Sequence, residues 1–295
     1  MAHDHSHGTT NYNRAFAIGV SLNVVFVVVE VFYGVVSQSM ALIADAGHNL
    51  SDVLGLLLAW GASLLAARPS TERRTYGFRK ATILASLASA MLLLVALGSI
   101  AWEAIGRFLD PRPVESGTVI LVAAIGVVIN TLTALLFVRG QKHDLNIRGA
   151  FLHMAADAGV SLGVVATALI MMRTGWFWID PAISLGIVAV VFVGTWSLLR
   201  ESMNLSMDGV PKGIDIERLR TFLSEYEGVS QVRDLHVWSL STTEVALTAH
   251  LRVDHAPKDS SYLRGIQEKL HDDFEIVHAT IQIDTDDICY CSSKG

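Results

Sequence analysis

Six long apolar stretches, separated by short polar segments, dominate the first two thirds of the chain. Each stretch is long enough to cross a bilayer as a helix, which takes about 20 residues. Pro111 and Pro113 interrupt the chain between the third and fourth stretches. The pattern predicts six transmembrane helices, over residues 15–36, 42–66, 81–105, 117–138, 149–172 and 179–199.

A different pattern begins near Asp208, where shorter amphipathic segments replace the continuous apolar runs. Apolar residues three and four positions apart predict helices, and alternating apolar and polar residues predict strands. The predicted order is α-β-β-α-β, over residues 214–226, 229–240, 244–253, 261–274 and 277–284. This order suits a small α+β domain, ferredoxin-like or metallochaperone-like, with its helices packed on a sheet.

Basic residues are concentrated on one side of the predicted spans, in segments 68–80 and 139–148 and just after the sixth span. The opposite side has only Arg107, Arg112 and Arg173. Lys and Arg are enriched in cytoplasmic loops, and an even number of spans puts both termini on one side. We therefore expect a multi-pass protein of the inner (plasma) membrane with both termini in the cytoplasm.

These patterns divide the chain into four segments. Residues 1–13 form a His-rich cytosolic tail, and 14–207 form a transmembrane domain of six helices. Residues 208–288 form a cytosolic α+β regulatory domain, and 289–295 form a Cys-containing tail. The predicted fold class is an α-helical membrane protein with six transmembrane helices and a small cytosolic α+β domain.

Composition agrees with this division. Charged residues make up 17% of the chain, against about a quarter in soluble domains, and the mean hydropathy is +0.45. The net charge is −6, and no basic face is apparent in the sequence. A nucleic-acid-binding protein needs such a face, so this class is excluded. Both cysteines, Cys289 and Cys291, lie near the C-terminus, where a reduced cytosolic tail is the simplest interpretation.

Two of the predicted spans carry a His followed four residues later by an Asp. The second span has His48 and Asp52, and the fifth has His153 and Asp157. Ionisable groups inside a membrane are costly and usually functional, and residues four apart share a helix face. If these two spans pack together, two imidazoles and two carboxylates converge, a set that suits tetrahedral Zn²⁺.

Other interpretations of these residues remain open at this point. Each His–Asp pair is also compatible with a hydrogen bond that only holds helices together. Asp45, one turn before His48, is interpreted as a residue that supports the ligands, with a ligand or an entry-side charge as alternatives. A membrane metalloenzyme and a metal sensor without transport are the competing functions. Zinc hydrolases keep an open water position, and no His-Glu-x-x-His motif occurs, so we expect no enzymatic activity.

Several motifs together resemble one known family. They are A-L-I-A-D-A-G-H-N-L-S-D over 41–52, the His-x-x-x-Asp of the fifth span, Asp180-Pro181, D-L-H-V-W-S-L over 234–240 and H-A-T-I-Q-I-D over 278–284. Across essentially the whole chain, the sequence resembles the cation diffusion facilitator family, in particular its bacterial zinc-exporter branch. The resemblance implies a homodimer that exports Zn²⁺ from the cytoplasm in exchange for protons. A His in the position of His48 goes with zinc selectivity in that family, and an Asp there with a broader range of metals.

The resemblance also implies metal binding in the cytosolic domain. It assigns His236, His250 and Asp284 to a site near the dimer interface, with surface or fold-stabilising histidines as the alternative. Cys289 and Cys291 are candidate thiolate ligands, although two ligands need partners from elsewhere.

The loop between spans 2 and 3 and the N-terminus complete the list of candidates. The resemblance pairs Lys80 with Asp208 near the dimer two-fold axis, with two separately solvated charges as the alternative. Segment 68–76 has no His and a single acidic residue, so we predict no metal there. The N-terminal histidines within 3–7 are either a loose metal collector or part of a polar start without a site.

Overall fold

The computed structural model describes residues 12–137, 145–255, 257 and 259–285. Six long helices come first, and a helix-and-strand domain follows. The helices are α1 (Tyr12–Ser37), α2 (Met40–Ala66), α3 (Ala81–Leu109), α4 (Ser116–Phe137), α5 (Leu145–Thr174) and α6 (Ile179–Ser206). At about 1.5 Å of rise per residue, their 22 to 30 residues are long enough for a bilayer.

Length and composition mark four stretches among the described residues as able to cross a membrane. They are Ala81–Leu109, Ser116–Leu135, Met154–Thr174 and Ile179–Ser206, and Ser21–Ser37 is a shorter apolar helix. Their outward side chains are apolar as well: Val95, Val190 and Val193 are each about 70% exposed. Helices that are apolar on every side are typical of membrane spans.

The bounds of the described helices agree closely with the predicted spans, apart from the end of the sixth helix. Helix α6 ends at Ser206 rather than at residue 199. Its extension is amphipathic: Leu205 is buried, and the hydroxyl of Ser202 lies 2.8 Å from that of Ser86 on α3. A hydropathy pattern finds only the apolar part of such a helix, so the polar continuation was missed.

The chain forms two compact units. Of the described residues, one unit contains those up to Leu57 together with those within Ser89–Trp196, and the other contains Leu58–Ala88 together with those from Ser197 onward. In the first unit, α4 packs against α5 and α1, around Phe26, Val122 and Val164. Gly126 allows a close approach there, because a Cβ atom at this position would lie 2.6 Å from the Phe26 ring.

The second unit contains the cytosolic domain, whose elements occur in the predicted order. They are α7 (Ile216–Ser224), β1 (Val229–Ser239), β2 (Val245–Val253), α8 (Ser261–Phe274) and β3 (Ile276–Asp284). The sheet order is β1-β2-β3, with β1 antiparallel and β3 parallel to β2. Helix α7 begins at the N-cap Asp215, whose carboxylate accepts two backbone N–H groups, as expected of a good cap.

The two faces of this sheet differ in chemistry. Leu247 and Leu251 on β2 are buried with Leu219, Ile266 and other residues in the domain core. The alternate positions of β2, which include His250, point to the opposite face, because successive strand residues alternate. The histidine-bearing face is therefore the face that is not packed on the helices.

Candidate metal sites

Helices α2 and α5 bring one predicted ligand of each span into contact. The Nε2 atom of His48 lies 3.3 Å from Oδ1 of Asp157. Asp157 is buried, with a side chain 2% exposed, whereas the His48 side chain is 19% exposed. A carboxylate in this setting needs a partner, because burying an unpaired charge is costly, and the imidazole of the facing helix is one such partner.

The other two predicted ligands lie on the same two helices. Asp52 follows His48 by one turn of α2, and His153 precedes Asp157 by one turn of α5. Their side chains lie outside the described residues. Among the described side chains, no three His, Cys, Asp or Glu groups converge as a metal site, so the contact between His48 and Asp157 is the part of the predicted set that the structure brings together.

Buried polar residues surround this contact. Asp45 is fully buried, and its Oδ2 accepts a hydrogen bond of 2.9 Å from the hydroxyl of Ser161 on α5. Glu30 on α1 is also fully buried and accepts a 3.1 Å hydrogen bond from the amide of Asn49. Both bonds connect α2 to a neighbouring helix from positions next to His48 on that helix, so they restrict where its imidazole can lie.

The start of α2 is held by a residue from α6. The hydroxyl of Ser39 donates to Oδ1 of Asp180 over 2.5 Å, and the backbone N–H of Met40 donates to Oδ2 over 2.6 Å. The N–H of Ala41 also points to Oδ2, at 3.4 Å. Asp180 thereby caps the first turn of a helix that is distant in sequence, and its charge lies where the helix dipole favours an anion.

The described residues of the predicted cytosolic site lie together on the face of the sheet that points away from α7 and α8. His236 Nε2 is 3.0 Å from Oδ1 of Asp234, and His250 Nε2 is 3.8 Å from Oδ2 of the same carboxylate. On its other side, His250 Nδ1 lies 3.7 Å from Oδ2 of Asp284. Asp234 therefore lies between the two histidines, and His250 lies between two carboxylates.

Lys80 and Asp208 form an ion pair within one protomer, with 2.6 Å between Nζ and Oδ1. Their side chains are 47% and 58% exposed. A neighbouring pair joins Arg79 to Glu244 at 2.8 Å, so the segment just before α3 contacts the cytosolic domain. Cys289, Cys291 and the N-terminal histidines lie outside the described residues.

Comparison with known proteins places these features in a family. Residues 16–205 match the model of the cation efflux transmembrane domain, and residues 211–286 match that of the cation efflux protein, cytoplasmic domain. The chain belongs to the cation efflux, or cation diffusion facilitator, family. The family predicted from the sequence motifs is therefore confirmed, as is a membrane domain followed by a cytosolic α+β domain.

Three relatives from this family cover nearly the whole chain. The metal cation efflux system protein CzcD of Cupriavidus metallidurans is 36% identical over 96% of this chain and 89% of its own. The zinc transporter ZitB of Escherichia coli is 39% identical over 96% and 93%. A cadmium, cobalt and zinc/H⁺-K⁺ antiporter of Bacillus velezensis is 32% identical over 100% and 97%.

Two residues of this cation efflux protein were missed as site residues by the sequence analysis. Asp234 lies beside both cytosolic histidines, at an irregularity in β1 where its backbone is left-handed, with φ at 48°. Its spacing of two from His236 was a usable signal, because residues two apart share a strand face. Asp180 appeared only as part of a motif, since its contact with α2 joins residues 140 positions apart and leaves no local trace.

Proposed function

We propose that this protein exports a divalent cation, with Zn²⁺ as the preferred substrate, from the cytoplasm in exchange for protons. The cation is bound within the membrane by His48, Asp52, His153 and Asp157. The observation that carries this proposal is the 3.3 Å contact between His48 on α2 and Asp157 on α5. Two ligand-bearing helices that touch through their ligands are able to share one ion.

The donor set explains how metal and protons exchange. Zn²⁺ binds neutral imidazole and ionised carboxylate, so binding the ion releases protons and protonating the ligands weakens binding. Imidazole titrates near neutral pH. A site that opens in turn to the cytoplasm and to a more acidic exterior therefore gains metal on the first side and loses it on the second. In this scheme α2 and α5 move together during alternating access, as in other carriers.

The names of the relatives support the choice of substrate. One relative is a zinc transporter and another an antiporter of cadmium, cobalt and zinc with protons and potassium. With His48 in place, two nitrogen and two oxygen donors suit tetrahedral zinc. We propose zinc as the main substrate, protons as counter-ion, and a homodimer in the inner membrane as the working form, with both termini in the cytoplasm.

Metal uptake into inverted membrane vesicles tests this function. Vesicles that contain the protein should accumulate Zn²⁺ when their interior is acidic, and accumulation should fall sharply when the pH gradient is collapsed. Vesicles without the protein serve as the control. A protein that binds zinc without moving it, as an enzyme or a sensor would, contradicts the proposal.

We further propose that the cytosolic domain binds zinc for regulation, through His236, His250 and Asp284 with Cys289 and Cys291. Deleting residues 289–295, or changing His250 to Ala, should weaken zinc binding to the cytosolic side by about tenfold or more, as loss of a ligand or its support does. Transport should continue at a reduced rate, because the membrane ligands are untouched. Equilibrium zinc titration and vesicle flux on the same preparations separate the two effects, and a complete loss of flux in an inserted protein contradicts this division.

We also propose that the Lys80–Asp208 pair helps to hold the dimer together. Lys80→Ala and Asp208→Ala should each increase dimer dissociation in detergent and slow transport, and the double variant should be no worse than the worse single variant, because paired residues act as one unit. An ion pair that stays exposed to solvent contributes about 1 kcal/mol or less to stability. The expected effect on the dimer therefore requires the dimer to shield this pair from water. The Lys212–Glu201 pair, 2.7 Å long and likewise exposed, gives the matched control. Additive losses across the cycle contradict a coupled pair.

A further inference from the structure

A groove of about 1070 Å³ runs along the edge of the second unit. The loop between α2 and α3, the first turn of α3 and strand β1 form its walls. Four basic side chains line it, from Arg73, Arg74, Arg79 and Lys80, against the single carboxylate of Asp208. The chain as a whole has a net charge of −6, so this concentration of positive charge is local and does not follow from composition.

Two of these basic residues lack an acidic partner. Arg79 pairs with Glu244 and Lys80 with Asp208. Within the described part of the chain, neither Arg73 nor Arg74 forms an ion pair, and both are exposed. Two neighbouring guanidinium groups therefore present uncompensated positive charge at the groove, which attracts an anion such as a phosphate.

The loop holds these arginines in a defined conformation. The backbones of Thr71 and Arg74 exchange two hydrogen bonds of 3.0 Å, and the guanidinium of Arg74 stacks 4.3 Å above the Phe78 ring. Gly77 has a φ of +68°, a left-handed conformation that side chains rarely adopt. Because the loop is already ordered, binding an anion there does not require it to fold first, which lowers the entropic cost.

The groove lies where the membrane domain meets the cytosol. Its apolar wall includes Leu65, next to the end of α2, and Leu84, one turn into α3 and 57% exposed. Helix α3 also contacts the cytosolic domain, through Thr82, whose hydroxyl accepts the N–H of Thr242 over 3.1 Å. Positive charge beside exposed apolar surface at this level matches a molecule with an anionic head and an apolar tail.

We propose that this groove binds the phosphate headgroup of an anionic phospholipid of the cytoplasmic leaflet. Arg73 and Arg74 hold the phosphate, and the acyl chains pass along Leu84 into the bilayer. Phosphatidylglycerol is the probe for this chemistry, and zwitterionic phosphatidylcholine is its neutral counterpart. The residues assigned to the lipid, Arg73, Arg74 and Leu84, have no part in the proposed metal sites. The groove is also lined by His236 of the proposed cytosolic site and by the Lys80–Asp208 pair.

Native mass spectrometry of the full-length protein, titrated with each lipid in detergent, tests the proposal. The parent protein should bind phosphatidylglycerol more tightly than phosphatidylcholine. A basic residue near a membrane surface contributes about fivefold to such affinity, so Arg73→Gln with Arg74→Gln should weaken phosphatidylglycerol binding by about twenty-five-fold. The matched control is Arg68→Gln with Arg200→Gln, which removes the same charge from residues that do not line the groove and should leave the affinity within about threefold. Arg73→Lys with Arg74→Lys keeps the charge and should retain most of the binding even if the glutamine pair folds poorly.

Several results would overturn this assignment. Equal affinity for the two lipids, or equal losses in the groove and control pairs, shows that no specific headgroup site exists. Displacement of the lipid by millimolar glycerol phosphate shows that the groove binds a soluble phosphate. If the groove pair dissociates the dimer while lipid affinity stays unchanged, the partner protomer occupies the groove and the proposal is wrong.

Discussion

Changing Asp157 to Ala should abolish zinc export, with a loss of at least about a hundredfold in vesicle flux. Loss of a residue that merely supports a metal ligand costs about ten- to a hundredfold, and Asp157 is assigned here as a ligand itself. Asp52→Ala should have an effect of the same size, since either change leaves three protein ligands for an ion that needs four. Both measurements use vesicles with an imposed pH gradient.

Folding must be separated from function in this test. Asp157 is buried against His48, so the isosteric Asp157→Asn variant, which removes the charge but keeps the shape, should also lose transport while inserting normally. Thr167→Val provides a matched control on the same helix, because Thr167 is buried and its hydroxyl donates to the backbone carbonyl of Gly163 on its own helix. Parent-like pumping by either Asp157 variant contradicts the four-ligand site, and a large loss in the Thr167 variant shows that α5 does not tolerate substitution in general.

Changing His48 to Asp should alter selectivity more than total transport. The substitution replaces a borderline nitrogen donor with a hard oxygen, and ligand type together with geometry determines which divalent metal a site prefers. We expect cadmium flux to rise severalfold relative to zinc flux, because three carboxylates and one imidazole impose the compact tetrahedral arrangement less strictly. The two fluxes are measured in the same vesicle preparation with separate isotopes.

A neighbouring variant controls for indirect effects on His48. Glu30→Gln alters the residue that accepts the hydrogen bond from Asn49, next to His48 in sequence, and leaves all four proposed ligands in place. It should lower the rate for both metals together and leave their ratio unchanged. An unchanged ratio in His48→Asp, or an equal shift in both variants, places selectivity elsewhere in the protein.

The sequence predicted the elements of this protein well because their signals are local. Long apolar runs and alternating strands are properties of neighbouring residues, so the membrane helices and the α-β-β-α-β order could be read directly. The contact between His48 and Asp157 could also be predicted, since the same His-x-x-x-Asp spacing in two separate spans suggested a common site. The polar end of α6 was missed, because hydropathy does not distinguish an amphipathic extension from a loop.

Contacts between residues that lie far apart in the sequence could not be predicted from local patterns. Asp180 caps α2 from a position 140 residues away, and only the packing of the helices brings the two together. The spacing of Asp234 from His236 was a local signal, but its closeness to His250 depends on how β1 pairs with β2 at an irregularity in β1. Asp180 and Asp234 are both carboxylates like the proposed ligands, so only their contacts in the folded chain distinguish their roles.

The coordination shell of the bound ion tests the central claim most directly. X-ray absorption of Zn²⁺ should be recorded on the full-length protein with His236, His250, Cys289 and Cys291 replaced by Ala, beside the same protein with Asp157→Ala added. We predict one tightly bound zinc in the first protein, with two imidazoles and two carboxylate oxygens at about 2.0–2.2 Å, and its loss in the second. A zinc that keeps the same shell without Asp157, or a shell that contains sulfur at about 2.3 Å, would contradict the account.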